Sequence, residues 1–348
     1  MLDVIPNPDP LGLPIPVPIL LVLKVFGFFL HMVFMNLWLA GLPTALVLVK
    51  RRPLVAKRLF ESMPFFMAFG INAGIVPLLF IQTLYPQFFY PATILQAWFW
   101  FLIIPLLLIA YYGVYLAAFG RLRIIAGLGA SLLLTWIGLT FSAAMSLTAA
   151  PEKWPSIFLA TADAASVHGA FLHLEWETLL RYLLVLGMAF GTVAVFMVLD
   201  SHWLTNEQEL AAQVRHLVLP LYGLGLAIYG TAGSLYSPMV VDKLPRFWWS
   251  LAGGSMPIGV LLAAAYSKWG SRWTGVTLVI VHIVVLLSNA IARQIVQFRD
   301  LQRWVDLEKI PVRGEWGSFF LFVITLMVVL GVIVWIARTS LLRMRPAG

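Results

Sequence analysis

Long apolar runs, each about the length needed to cross a bilayer, succeed one another along the chain with short polar joints between them. Nine can be delimited: 19–49, 63–84, 92–119, 122–147, 176–200, 216–237, 247–266, 273–297 and 317–337. None alternates apolar and polar positions as a half-buried strand does, and a helix satisfies its backbone hydrogen bonds without water. Several runs contain proline (Pro43, Pro77, Pro105, Pro220, Pro257), which membrane helices accommodate by local kinks. The pattern predicts an all-α polytopic membrane protein: one transmembrane domain over 19–348, with about nine spanning helices. Residues 1–18 carry five prolines between Pro6 and Pro16 and no basic cluster. They are expected to form an extended extracytoplasmic arm on the membrane surface rather than a cleaved signal peptide.

Composition narrows the function classes. Of 348 residues, 61% are hydrophobic and 11% charged, with a mean hydropathy of +0.93. A soluble domain carries about 25% charged residues, so an ordinary globular enzyme and a disordered chain are excluded. The net charge of +8 could suggest a nucleic-acid partner, but the basic residues fall mostly between the apolar runs. Membrane topology and anionic headgroups account for that placement. There is no cysteine, which excludes disulfides, thiolate-bound zinc, iron–sulfur clusters and covalently attached haem.

The densest basic cluster, Lys50, Arg51, Arg52, Lys57 and Arg58, follows the first run, and the positive-inside rule places it in the cytoplasm. The N-terminus is then outside, and nine spans bring Arg338, Arg343 and Arg345 to the cytoplasmic side. Arg121, Arg123, Lys268 and Arg272 agree. The segment 298–316 does not: Arg299, Arg303, Lys309 and Arg313 fall outside. Apolar residues (Trp304, Val305, Leu307, Ile310, Val312) are interspersed with them. The segment is therefore expected to bind a partner subunit, with an interfacial helix on anionic lipid as the alternative.

Ionisable groups within the apolar runs are costly and mark function by default. His31 lies in the first, with Gly27 one turn and Lys24 two turns earlier on the same face. A haem held by His31 could reach Lys24 with a propionate; otherwise the imidazole is hydrogen-bonded to a neighbouring helix. His282 sits in the strongly apolar Val279–Val284 stretch with Arg293 three turns on, and admits the same two readings. His168 and His173 open the fifth run beside Glu175, Glu177 and Arg181. Five residues apart on a helix they diverge by about 140°, so one haem cannot use both. His202 and His216 flank a polar stretch, Asp200 to Arg215, and are expected to be solvated.

Several short stretches resemble the large haem-bearing subunit of cytochrome bd-type quinol oxidases. Phe29–Leu30–His31–Met32–Val33–Phe34, followed by Leu39–Ala40–Gly41–Leu42, is similar to that family's haem-ligating histidine stretch. Phe69–Gly70–Ile71–Asn72, with Gly74 and Gln82 after it, is similar to its Gly-Ile-Asn run, and Trp136–Ile137 to its fourth helix. Phe171–Leu172–His173 resembles the low-spin haem histidine. Phe247–Trp248–Trp249–Ser250 followed by Met256 resembles the stretch with that haem's axial methionine, two residues out of register. Arg293–Gln294 is similar to the family's Arg-Gln pair.

The resemblance implies a haem b-bearing subunit of a respiratory complex in the cytoplasmic membrane of a bacterium or archaeon. One to three haems are implied, with His31, His173, His282 and Met256 as candidate iron ligands and Lys24 and Arg293 as propionate partners. Quinone or quinol would exchange electrons and protons near Glu175, Glu177, Asp242, Lys243 or Gln294. An extracytoplasmic redox or cytochrome subunit would dock near 298–316. The departures bear on activity: from Ser62 to Pro151 there is no Asp or Glu, and Ala290 stands where the family has a carboxylate. The sixth and seventh helices are joined only by about 237–246, so the family's long quinol-binding loop is missing. Oxygen reduction is therefore not expected. The competing classes are a cofactor-free membrane anchor and a transporter; the latter is weakened by the missing buried acids and by the absence of a visible inverted repeat.

Overall fold

The computed structural model describes residues 5–8, 10–120, 122–163, 166–167, 172, 174–205 and 207–343. Its long helices are α1 (Val17–Leu48), α2 (Pro53–Leu84), α3 (Pro86–Gln96), α4 (Trp98–Phe101), α5 (Ile103–Phe119) and α6 (Arg123–Thr148). After α7 (Trp154–Thr161) comes a two-residue antiparallel hairpin, β1 (Ala162–Asp163) with β2 (Ser166–Val167). Then follow α8 (Trp176–Leu199), α9 (Gln208–Val240), α10 (Arg246–Trp269), α11 (Arg272–Leu301) and α12 (Trp316–Arg343). Among the described residues eight helical spans are long and apolar enough to cross a membrane, α4 and α5 counting together as Trp98–Phe119. The ninth predicted run corresponds to α12, whose described apolar part, Trp316–Val328, is shorter. The protein is thus an all-α polytopic membrane protein.

Two expected boundaries move. The run 92–119 is not one helix: Ala97 adopts φ 46°, a left-handed conformation that a residue with a Cβ rarely takes, and this ends α3 one residue before α4. The polar stretch Asp200–Arg215 is largely helical, because a π-helical turn (Asp200–Leu204) extends α8 and α9 begins at Gln208. His202 is consequently only half-solvated, with Nε2 2.7 Å from the Tyr266 hydroxyl, while His216 is exposed as expected.

The main core gathers α1, α2, α5, α6 and α8 to α11 around fully buried residues such as Phe60, Met63, Val193, Tyr222 and Met256. α8 and α9 meet backbone to backbone: a Cβ on Gly187 would lie 2.7 Å from the Gly225 carbonyl oxygen. Small residues permit this approach, which apolar packing between membrane helices exploits. At one end of this region Arg58 of α2 clasps the buried Asp200 with two hydrogen bonds, 3.0 and 2.5 Å.

A second apolar cluster caps the opposite end, termed here the N-terminal face, where α1 begins and α2, α6 and α11 end. Leu13, Leu20, Leu84, Tyr85, Phe88, Trp154, Leu301 and Leu307 are its centre. The proline-rich arm joins it. Leu13 N donates to Pro311 O and Arg313 N donates to Leu13 O, both at 2.8 Å, pairing the arm with the segment before α12. Gly12 is required there, since φ is +70° and a Cβ would lie 2.3 Å from Pro311 O.

Candidate functional site

α1, α2 and α11 converge below the N-terminal face on a group of polar side chains in apolar surroundings. Lys24 of α1 is 2% exposed; its Nζ donates to Gln297 Oε1 of α11 at 2.5 Å and lies 5.3 Å from the centre of the Tyr85 ring. The half-buried Arg293, one turn before Gln297, stacks its guanidinium 4.3 Å from the centre of the Phe28 ring on α1. Phe28 itself lies one turn from Lys24 on one side and from His31 on the other. Lys24, His31 and Arg293 therefore form one group. The sequence had paired Arg293 with His282; the side chain turns instead toward α1.

His31 is held against α2. Its Nδ1 lies 2.8 Å from the Gly70 carbonyl oxygen. A carbonyl oxygen only accepts, so this partner assigns the proton to Nδ1 and leaves the lone pair on Nε2. Nε2 makes no hydrogen bond among the described residues. The ring fits because Gly74 has no side chain: a Cβ there would lie 2.8 Å from His31 Nδ1 and Cε1. Gly27 is filled from the other side, with Val76 Cγ1 2.6 Å from where its Cβ would be.

His282 has a different environment. Its Nε2 is 2.8 Å from Thr192 Oγ1 and its Nδ1 2.9 Å from the Tyr222 hydroxyl. Thr192 donates to Met188 O at 2.9 Å and accepts from Asn36 Nδ2 at 3.1 Å. With that hydroxyl proton committed, His282 donates from Nε2 and accepts at Nδ1 from Tyr222, so both ring nitrogens are satisfied. The S-methyl group of Met256 packs beside it; a Cβ on Gly191 would lie 2.9 Å from His282 Cε1 and 3.2 Å from Met256 Cε. Met256 thus adjoins His282, whereas the sequence had paired it with His173. His173 itself, with His168, lies outside the described residues.

The remaining candidates lie toward the N-terminal face. Glu175 is exposed and takes a hydrogen bond from Lys153 Nζ at 2.6 Å. Glu177 pairs with Arg181 at 3.2 Å, and Arg181 reaches Ser146 Oγ at 2.9 Å. Asp242 is exposed, while Lys243 pairs with the buried Asp300 at 2.7 Å. These two residues, with Asp242, Arg299, Gln302 and Arg303, line an open cavity of about 380 Å³. Gln294 is buried, and its Nε2 has no hydrogen-bond partner among the described residues.

The segment 298–316 is not a bare basic surface. Asp300, Asp306, Glu308 and Glu315 accompany its Arg299, Arg303, Lys309 and Arg313, and Lys309 pairs with Asp306 at 3.2 Å. Leu301 and Leu307 are buried beside the proline-rich arm, and Trp304, Val305 and Ile310 pack against that cluster.

Sequence reasoning missed Gln297, Tyr85, Thr192, Tyr222 and Asn36. Gln297 carried a signal, since it follows Arg293 by one helical turn. The others are contacts between helices distant in sequence. No protein-family model matches this sequence, and comparison with curated proteins finds no significant match.

Proposed function

We infer that this chain is a haem b-bearing subunit of a membrane electron-transfer complex, with His31 as an iron ligand. The observation that carries this reading is His31 itself: an imidazole whose Nδ1 is tied to the Gly70 carbonyl and whose Nε2 makes no hydrogen bond among the described residues. Metal-bound histidines characteristically give their second nitrogen to a carbonyl or carboxylate in this way. Lys24 and Arg293 stand on the same side of the bundle and make no ion pair with a carboxylate among the described residues. They suit the two propionates of a haem, with the Phe28 ring as apolar wall beside Arg293.

Bound there, haem b supplies one-electron transfer. The protein's part is to fix the tautomer of His31, to hold the carboxylates with Lys24 and Arg293, and to keep water from the ring. His282 fits iron less well, because ligation would break one of its two hydrogen bonds. Its network fits a structural role joining α1, α8, α9 and α11. The same saturated network is what favours the second reading, a cofactor-free anchor subunit.

The rest of the reading follows from the resemblance and the charge pattern. Quinone and a partner redox subunit complete the electron path, the N-terminal face is extracytoplasmic, and the membrane is the cytoplasmic one of a bacterium or archaeon. Oxygen reduction is left out of the proposal because no Asp or Glu occurs from Ser62 to Pro151. A reduced-minus-oxidised visible spectrum of the purified protein tests the reading. Soret and α bands of haem b are expected; their absence after expression with ample haem supply leaves the anchor.

A further inference from the structure

Lys24 and Arg293 are under-supplied with acceptors. An ammonium carries three N–H donors and a guanidinium five. The protein gives Lys24 one acceptor, Gln297 Oε1, and gives Arg293 none among the described residues. Two acids toward that end are committed elsewhere, Glu177 to Arg181 and Asp300 to Lys243. Two buried residues, at the end of α2 and on α11, also carry a polar atom with no hydrogen-bond partner among the described residues: the hydroxyl of Tyr85 and Nε2 of Gln294. Burying Lys24 and half-burying Arg293 this way is costly unless water or an anion completes their shells.

The shape of α11 shows where these come from. Arg293, Gln297 and Asp300 recur at spacings of four and three, so they share one face over its last two turns. Lys24 meets that face at Gln297. Asp300, at its outer end, lines the open cavity of about 380 Å³ at the N-terminal face. The polar face thus runs from the surface to the two cations.

We propose that this face of α11 lines a hydrated vestibule joining the surface cavity to Lys24 and Arg293, and that it admits small anions in preference to cations. Selection arises because Glu177 and Asp300 are each neutralised by a partner, which leaves the two inner cations as the unbalanced charge. The inference concerns the haem-free chain, since the propionates of a haem held by His31 would take up both cations; it holds equally for the cofactor-free anchor.

The absence of native cysteine permits a direct test with single-cysteine variants of the full chain, prepared without haem, in liposomes. Gln297→Cys and Gln294→Cys probe the vestibule. Gln302→Cys, in the surface cavity, is the aqueous reference, and Ile280→Cys, 55% exposed on a strongly apolar stretch, is the lipid-side control. Each is treated with anionic methanethiosulfonate ethylsulfonate and with cationic methanethiosulfonate ethyltrimethylammonium. Gln297→Cys or Gln294→Cys should react, with an anion-to-cation rate ratio about tenfold above that of Gln302→Cys, as expected where unbalanced charge focuses ions in a low-dielectric cleft. Silence at both inner positions while Gln302→Cys reacts overturns the proposal. Equal preference for the cationic reagent, or reaction as fast at Ile280→Cys, overturns it too. None of these readouts involves a haem spectrum, so the two proposals fail separately.

Discussion

His31 on α1 and Gly70 on α2 are joined by a 2.8 Å hydrogen bond from imidazole Nδ1 to the carbonyl oxygen. The helix thereby chooses the tautomer and aims Nε2 away from α2. Gly74, one turn further along α2, leaves the space in which the ring rests. Replacing Gly74 with Ala would put a methyl group 2.8 Å from two ring atoms, and a rigid ring cannot fold aside. Overpacking of this kind costs about 1–3 kcal/mol, or roughly tenfold in affinity if borne by the ligand site. Gly74→Ala should therefore lower haem content per protein severalfold, measured by pyridine haemochrome, with the protein still running as a monodisperse species.

His282 should behave in the opposite way. His282→Ala leaves Thr192 and Tyr222 short of a partner in a buried network. Thr192 keeps Met188 and Asn36, but the orphaned Tyr222 hydroxyl costs about 1–3 kcal/mol, and a loss of that order is expected in denaturant unfolding. The visible spectrum should keep its position and shape. A spectrum that changes while stability does not would reverse the assignment.

The α8–α9 crossing supplies a test of packing alone. A Cβ on Gly187 meets Gly225 O and Tyr229 N at 2.7 Å, backbone atoms that can yield only if the helices part. Gly187→Ala should destabilise by about 1–3 kcal/mol. Gly223, on the same α9 but with nothing within 4 Å of its would-be Cβ, is the control. Gly223→Ala should be neutral or stabilising by roughly 0.5–1 kcal/mol, since Ala is the better helix former. Comparing their melting temperatures separates close helix contact from a general effect of added methyl groups.

At the far end of the bundle, Arg58 and Asp200 form a pair whose carboxylate side chain is 3% exposed while the arginine is 31% exposed. Arg58→Ala leaves a buried carboxylate without its partner, a change that costs about 3–5 kcal/mol for fully buried pairs and less here because water reaches the arginine. Asp200→Asn together with Arg58→Gln should recover part of the loss. A double variant no more stable than the worse single one would show that the two side chains are not coupled.

Much of this architecture could be read from hydropathy, because a spanning helix is specified by its own length and apolarity. The eight long spans follow from that rule. The break at Ala97 does not, for its residues, Leu95–Gln96–Ala97–Trp98, carry no glycine or proline and the interruption is imposed by packing of α3 on α6 and α7. The start of α9 at Gln208 was hidden because its first two turns are amphipathic, with Leu210 and Val214 buried among polar neighbours, and lie before the apolar run.

The candidate site was legible along single helices and illegible between them. His31 and Lys24 share a face of α1, which helical periodicity shows. That Arg293 turns to Phe28, and that Tyr222 completes His282, depends on contacts between residues 265 and 60 positions apart. No local pattern encodes such contacts.

The comparison of His31→Ala with His282→Ala in reduced-minus-oxidised difference spectra tests the central claim most directly. Both variants are purified under identical haem supply, with protein measured independently of absorbance. Loss or displacement of a haem b α band in His31→Ala, with the band retained in His282→Ala, is the predicted result. An unchanged spectrum in His31→Ala would contradict the assignment of His31 as an iron ligand.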